Sequence, residues 1–140
     1  MPRATNREES EIWVTLSQAA YEAQKRAYAP YSHYRVGCAG WAQNGKVYCG
    51  ANIENGSFGA TLCAERVAVA LAHMDNAGPF EKMVLVALDS PTPCGICRQV
   101  LIERSPQLIL RCGEGTNAWE GSIGDLYPFA FVLHQQNGEK

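Results

Sequence analysis

Three cysteines and one glutamate are the residues of this sequence whose types and spacing could do chemistry. Cys94 and Cys97 lie in the stretch "TPCGICRQV", and Cys63 opens the stretch "CAER", which also contains Glu65. A Cys-x-x-Cys pair at the start of a helix is typical of two kinds of site, a redox-active dithiol and half of a zinc site. The pair alone does not distinguish between them, so the interpretation depends on Cys63 and Glu65.

The residues around Cys63 favour a catalytic zinc site. Both cysteine stretches open predicted helices, and converging helix N-termini would stabilise the thiolates that zinc requires. Three thiolates leave the fourth zinc position open, as in catalytic sites, and no fourth ligand has suitable spacing, because His33, His73 and His134 are isolated. A glutamate two residues after the first cysteine, followed later by Pro-Cys-x-x-Cys, matches the signature of zinc nucleobase deaminases.

The composition predicts one globular domain over residues 1–140, with a flexible segment over 1–8 and a polar tail over 134–140. A chain of 140 residues that is 46% hydrophobic can bury a core without disulfides. Its net charge of −2 argues against a nucleic-acid partner bound through bulk electrostatics. The longest apolar run, over 84–88, is too short to span a bilayer, and the polar N-terminus lacks the apolar core of a secretory signal. We therefore expect no membrane partner and a cytoplasmic location.

The remaining cysteines and the sequence periodicity predict a layered α/β protein. Cys38, Cys49 and Cys112 lie in strand-like segments, and in a cytosolic protein they are expected to be buried rather than disulfide-bonded. A helix is predicted over 9–28, and Asn44-Gly45 predicts a β-hairpin with a two-residue turn. Helices are also predicted from Thr61, as the N-cap, and from Pro93. The predicted strands are 35–42, 46–53, 81–89, 107–113 and 118–124. The order α-β-β-α-β-α-β-β indicates one sheet covered by helices on both faces.

With these motifs in place, the sequence resembles the cytidine deaminase family in its small, three-cysteine, homotetrameric form. The resemblance is carried by "GANIENGSFGATLCAER" and "PCGICRQV" and extends from about residue 31 to residue 131. It implies a three-layer α/β/α sandwich around a five-stranded mixed sheet. The implied activity is the hydrolytic deamination of cytidine or 2'-deoxycytidine, with one Zn²⁺ per chain held by Cys63, Cys94 and Cys97.

The resemblance also implies roles for individual side chains near the metal and the sugar. Glu65 would move protons from water to ring N3 and to the departing amino group. Asn52 and Glu54 would hold the ribose hydroxyls of a small-molecule nucleoside. Arg66 and Arg98 would donate hydrogen bonds to the ligand sulfurs and offset their negative charge.

Four further residues are implied to shape the pocket for the base. Tyr34 occupies the position at which the family places a phenylalanine against the base, and the backbone at Ala64, with that at Cys94, helps to orient that base. Phe58 and Phe131 match aromatic positions that the family brings into a neighbouring subunit's site. The resemblance therefore implies a homotetramer in which neighbouring subunits complete each active site.

Several departures from the family pattern leave the nucleoside open. Arg35 and Trp41 are bulkier than the usual residues, and the segment "LDSPTPCG" is shorter; we expect these changes to surround the pocket rather than the zinc. The nearest alternative is a deaminase of a modified cytosine nucleoside, resembling the blasticidin S type, although Asn52-Ile53-Glu54 favours plain cytidine. A structural zinc module would need a fourth ligand, and a redox dithiol would leave Cys63 free. Polynucleotide editing is disfavoured because the sequence has no basic track.

Overall fold

The computed structural model describes residues 5–114, 116 and 118–134. Its elements follow the predicted order, with a short 3₁₀ turn and a short final helix in addition. The helices are α1 (Asn6–Gln24), α2 (Ala64–Met74), α3 (Gly95–Arg104) and α4 (Ile123–Leu126). The strands are β1 (Gly37–Ala42), β2 (Val47–Ala51), β3 (Phe80–Val86), β4 (Ile109–Cys112) and β5 (Trp119–Ser122). No helix in this described part is long and apolar enough to cross a bilayer.

The five strands form one mixed sheet in the order β2-β1-β3-β4-β5. β1 is antiparallel to both β2 and β3, and β4 is antiparallel to β5. β3 and β4 are parallel, and α3 provides the crossover between them. The five-stranded mixed sheet expected from the sequence is confirmed.

Alternating side chains of the central strand give the sheet two apolar faces. On β3, Met83 and Leu85 belong to the core beneath α2 and α3. Val84 and Val86 point to the other face and pack in the core that contains Trp13 of α1. α1 therefore covers one face and α2 with α3 covers the other, which is the three-layer α/β/α arrangement predicted from the family resemblance.

Two glycines allow helices to approach the sheet closely. A Cβ built on Gly50 of β2 would lie 2.0 Å from the carbonyl oxygen of Ala64, at the start of α2. A Cβ on Gly37 of β1 would lie 2.1 Å from the carbonyl oxygen of Ala20 in α1. Only glycine fits at either contact, and the first contact sets how the N-terminus of α2 lies on the sheet.

The boundaries differ from the sequence prediction in ways that have local causes. α1 begins at Asn6 because Thr5 and Glu8 form a capping box. Residues 6–8 of the expected flexible segment are therefore the first turn of a helix. Residues 1–4 of that segment lie outside the described residues. α1 also ends at Gln24, before the predicted end at residue 28. The hairpin is present, but four residues rather than two separate its strands, and Gly45 has φ +84°. Of the predicted tail, residues 135–140 lie outside the described part.

Candidate active site

The N-termini of α2 and α3 converge and bring the three predicted sulfur ligands together. Cys63 is the N-cap of α2, and Cys94 is the N-cap of α3. The N-cap of α2 predicted at Thr61 is therefore wrong: the Thr61 hydroxyl accepts a hydrogen bond from the Asn55 backbone N–H at 3.2 Å instead. Cys97 follows Cys94 by one helical turn, and its backbone N–H donates to Cys94 Sγ at 3.5 Å. Two helix ends thus point their free N–H groups at one cluster of sulfurs.

The spacing of the sulfurs fits a zinc ion. The Sγ atoms of Cys63, Cys94 and Cys97 all lie within 4.8 Å of one another, and those of Cys63 and Cys94 are 3.7 Å apart. Tetrahedral zinc with Zn–S bonds of about 2.3 Å places its sulfurs about 3.8 Å apart. In the described part of the chain no fourth protein ligand joins this cluster. The donor set therefore has the composition of a catalytic zinc site, which keeps one position for water or substrate.

A hydrogen bond between the Cys63 and Cys97 thiols shifts their pKa values in opposite directions. This bond, together with the Arg66 guanidinium and Cys94, lowers the pKa of Cys63 well below its usual value. The same bond, followed by burial, raises the pKa of Cys97. Metal ligation requires all three cysteines as thiolates, so metal binding would be accompanied by proton release.

The two predicted arginines make different contacts. Arg66 donates from one guanidinium nitrogen to Cys63 Sγ at 3.3 Å and to the Thr61 carbonyl at 3.2 Å, as expected for a residue that supports a ligand sulfur. Arg98 donates instead to the carbonyl oxygens of Pro93 at 2.7 Å and Leu126 at 2.8 Å. The position of Arg98 one turn into α3 directs it to the loop before Cys94 and to α4. The expected hydrogen bond from Arg98 to a sulfur is absent among its described contacts.

Glu65 lies in the first turn of α2, beside the sulfur cluster, and lines the adjacent cavity. Its side chain is only 4% exposed. Burial raises the pKa of Glu65 above its usual value, and the negative charge of Cys63 acts in the same direction. A raised pKa makes a carboxylate a stronger base, which is the direction of shift that favours proton transfer near neutral pH.

Most of the predicted substrate residues line one cavity of about 470 Å³ that opens beside the cluster. Tyr34, Asn52, Glu54 and Ala64 all contribute to its walls, together with Glu65. The volume lies in the range of small-molecule sites, about 300–1,000 Å³. The structure therefore places Cys63, Cys94, Glu65 and four of the six predicted substrate residues around a single concave site.

Asn52 and Glu54 each hold backbone of the opposing segment over 31–36. Asn52 Oδ1 accepts from the Val36 N–H at 2.9 Å, and its Nδ2 donates to the Tyr34 carbonyl at 2.7 Å. Glu54 Oε1 accepts from the backbone N–H groups of residues 31 and 32 at 3.0 and 3.1 Å, and its Oε2 accepts from the Ser32 hydroxyl. The Ser32 hydroxyl bond is the main cause that lowers the pKa of Glu54. Both side chains are fixed in orientation.

Sequence reasoning missed Asp89, which also lines the cavity. The Tyr34 hydroxyl donates a hydrogen bond to Asp89 Oδ1. Burial, followed by this bond, raises the pKa of Tyr34 to about 12. The signal in the sequence was the position of Asp89 just beyond the carboxyl end of a buried strand, where ligands bind in open α/β sheets.

Other predicted residues lie away from the cavity. Phe58 is 75% exposed on the 3₁₀ turn and packs edge-on against the Tyr31 ring, with the ring centroids 5.9 Å apart. Phe131 is 62% exposed, and its carbonyl accepts a hydrogen bond from a Gln99 side chain at 3.0 Å. Neither ring lines the cavity of its own chain.

The expectation that Arg35 and Trp41 surround the pocket is wrong. Trp41 packs in the core on the α1 face of the sheet, because it follows the outward alternation of β1. Arg35 lines a separate, smaller cavity beside residues 27–30. The short segment ahead of Cys94 does line the substrate cavity, through residues 89–92.

Comparison with known protein families gives one match that covers most of the chain. The model of the cytidine and deoxycytidylate deaminase zinc-binding region matches residues 11–110. A probable cytidine deaminase of Dictyostelium discoideum is 42% identical over 130 residues, which covers 90% of this chain and 86% of the relative. A cytidine deaminase of Halalkalibacterium halodurans is 38% identical over 127 residues, covering 87% of this chain and 96% of the relative.

Solved structures give the same result. The crystal structure of cytidine deaminase from Mycobacterium tuberculosis superposes with a TM-score of 0.77 at 37% identity, covering 86% of this chain and 98% of that chain. The crystal structure of cytidine deaminase from Burkholderia pseudomallei superposes with a TM-score of 0.78 at 40% identity, covering 84% and 98% respectively. The similarity therefore extends over nearly the whole of each solved chain.

Proposed function

Because the chain belongs to the cytidine and deoxycytidylate deaminase zinc-binding family, we propose that it hydrolyses cytidine and 2'-deoxycytidine. Water adds at C4 of the cytosine ring and the amino group leaves, so that one nucleoside and one water give the uracil nucleoside and one ammonia. The observation that carries the proposal is the placement of Glu65 at the wall of the cavity, next to three sulfurs within 4.8 Å of one another.

Cys63, Cys94 and Cys97 would hold the zinc ion. When bound, zinc supplies a Lewis acid that lowers the pKa of a water molecule from about 15.7 towards about 7. Glu65 takes a proton from the attacking water, delivers it to ring N3 and then moves a proton to the departing amino group. Positioned proton transfer of this kind is worth about 10²- to 10⁴-fold in rate.

Asn52 and Glu54 have the hydrogen-bonding capacity to hold the sugar as well as their own segment. Asn52 uses one donor and one acceptor on the backbone of residues 34 and 36 and retains one N–H and one lone pair. Glu54 accepts three hydrogen bonds and retains a further acceptor site. We assign these remaining groups to the ribose hydroxyls, and the backbone at Ala64 and Cys94 to the base.

We further propose a cytoplasmic homotetramer that acts in pyrimidine salvage. A reducing compartment keeps cysteine thiols available as metal ligands. The large apolar side chains of Phe129, Phe131 and Leu133 are between 62% and 104% exposed, which is the composition expected of a surface covered by another subunit. In such an assembly Phe58 and Phe131 would contribute to a neighbouring subunit's site.

The test is a substrate panel combined with metal counting on the purified protein. Ammonia release should be rapid with cytidine and 2'-deoxycytidine and slow with free cytosine, and one zinc should be present per chain. Cys97→Ser should lose both zinc and activity. Cys49→Ser is the matched control, because Cys49 is half-buried in β2, outside the cluster. Normal zinc and turnover in Cys97→Ser would contradict the proposed site.

The same panel separates the alternative substrates and classes. Activity only with 4- or 5-substituted cytosine nucleosides would replace cytidine by a modified nucleoside. A redox dithiol protein would show a reversible disulfide between Cys94 and Cys97 and no ammonia release. A structural zinc module would hold zinc without turnover of any nucleoside.

A further inference from the structure

Two walls of the substrate cavity are joined by a hydrogen bond between side chains. The Tyr34 hydroxyl donates to Asp89 Oδ1, and both residues line the cavity. Asp89 lies on the loop over residues 87–94, which follows β3 and ends at Cys94. Tyr34 lies on the segment over residues 31–36. We call this hydrogen bond the Tyr34–Asp89 bridge.

The segment on the Tyr34 side is firmly held. Asn52 and Glu54 make five hydrogen bonds to it: four go to backbone groups at 3.1 Å or less, and the fifth goes to the Ser32 hydroxyl. On the other side of the cavity, Arg98 holds the end of the loop, at the Pro93 carbonyl. The beginning of that loop, at Asp89, is tied to the fixed segment by the Tyr34–Asp89 bridge.

The Tyr34–Asp89 bridge lies on the solvent-accessible side of the cavity, where it ties the loop over 87–94 to the segment over 31–36. Asp89 is exposed and Tyr34 is half-buried. The Tyr34 hydroxyl is protonated and remains a donor at neutral pH, because burial and the bridge raise its pKa further above an already basic ordinary value, to about 12. A hydrogen bond between a neutral donor and a carboxylate is stronger than one between two neutral groups.

We propose that Tyr34 and Asp89 are positioning residues that order the cavity wall ahead of Cys94 before the substrate binds. The inference rests on the proposed function only for the identity of that substrate. Preorganisation of a wall improves binding because less ordering is lost when the ligand arrives. Since the bridge joins Tyr34 to Asp89 and not to a sulfur or to Glu65, it should act on KM rather than on kcat.

The experiment is a double-mutant cycle with steady-state kinetics on cytidine. Tyr34→Phe and Asp89→Ala should each raise KM about fivefold, the factor expected from one hydrogen bond of ordinary net strength, with kcat within about twofold of the parent. The double variant should resemble either single variant instead of showing the product of both effects. Asp89→Asn, which keeps an acceptor oxygen, should restore part of the lost affinity.

The fold contains a matched control for loss of a tyrosine hydroxyl. The Tyr48 hydroxyl donates to Asp75 Oδ2, and neither residue lines the cavity. Tyr48→Phe should therefore leave KM unchanged while removing a bond of the same type. Unchanged KM in Tyr34→Phe, equal KM effects in Tyr34→Phe and Tyr48→Phe, or multiplicative effects in the double variant would each overturn the proposal.

Hydrogen exchange provides a readout that does not depend on turnover. Backbone amides of the loop over 87–94 should exchange faster in Tyr34→Phe than in the parent or in Tyr48→Phe. If the parent releases no ammonia from any nucleoside, the proposed function fails, and the exchange measurement still decides whether the bridge orders the loop. Equal exchange of this loop in all three proteins would overturn the positioning role.

Discussion

Replacing Gly50 by alanine tests whether the close packing of β2 against α2 sets the geometry of the sulfur cluster. A Cβ at this position would lie 2.0 Å from the carbonyl oxygen of Ala64 and 2.9 Å from the backbone nitrogen of Ala68. Both atoms belong to the backbone of α2, so no side chain can rotate away. The helix itself must move by about 1 Å or more, because a close-packed interior has no free space to absorb a methyl group.

The expected magnitudes follow from where that movement occurs. Overpacking of this kind costs about 1–3 kcal/mol, which for a chain of this length lowers Tm by roughly 4–10 °C. The protein should therefore remain folded at 25 °C. Movement of α2 carries Cys63 and Glu65 relative to Cys94, and a misplacement of about 1 Å at a reacting group reduces the rate by about 10²-fold. We therefore expect kcat for cytidine to fall by a much larger factor than the small unfolded fraction at 25 °C would cause.

The matched control is Gly37→Ala on the other face of the sheet. A Cβ at Gly37 would lie 2.1 Å from the carbonyl oxygen of Ala20 and 2.6 Å from the backbone nitrogen of Gln24, both in α1. This variant should lose similar stability but keep the sulfur cluster in place. The measurements are Tm by calorimetry, zinc per chain, and kcat at 25 °C for both variants.

Two outcomes of this comparison would contradict the proposed role of the Gly50 contact. If Gly37→Ala and Gly50→Ala lower kcat by the same factor, general destabilisation explains the loss. If Gly50→Ala loses stability but retains full zinc content and full kcat, α2 does not position the site through this contact. Either result would refute the reasoning that the glycine contact sets the geometry of the cluster.

Three further predictions concern the acid-base residue, the sugar residues and the opposite face. Glu65→Gln should keep zinc and fold and lower kcat about 10²- to 10⁴-fold, whereas the exposed control Glu81→Gln should be active; full activity in Glu65→Gln would remove the proton transfer. Asn52→Ala and Glu54→Ala should raise KM for cytidine about tenfold or more, and by a larger factor than KM for free cytosine, so equal losses on both substrates would misplace the sugar pocket. Thr5→Ala, at the capping box of α1, should cost about 1 kcal/mol of stability in denaturant unfolding and leave kcat unchanged.

The sulfur cluster was predictable because its signal is local. An N-cap cysteine and a second cysteine one turn later lie on the same helix side, so the spacing of Cys94 and Cys97 already implies a shared ligand. Cys63 joins the cluster only because the N-termini of α2 and α3 converge. The alternation of strands and helices in the sequence is compatible with that convergence but does not determine it. The continuous apolar run over 84–88 is likewise the pattern of a strand buried on both faces, and Met83 and Val84 of β3 lie in the cores on opposite faces of the sheet.

Tertiary contacts between distant segments were not predictable in the same way. The bridge between Tyr34 and Asp89 joins residues 55 positions apart, and nothing in either local pattern indicates the other. Arg98 is adjacent to a ligand in sequence, yet the rotation of about 100° per residue in a helix directs it to Pro93 and Leu126. Trp41 resembled a pocket residue by its position in the motif, but the alternation of β1 turns it to the α1 face.

In the proposed mechanism, the charge of the zinc cluster and the burial of Glu65 act on the same proton transfer. Three thiolates around one divalent ion give a net charge of −1, which weakens a metal as a Lewis acid. Two helix N-termini and the Arg66 guanidinium, 3.3 Å from Cys63 Sγ, offset part of that charge. Burial also raises the pKa of Glu65, which makes it a stronger base. In the proposed mechanism a more basic carboxylate would compensate for a less acidic water, and an exposed glutamate at this position is expected to be a weaker base.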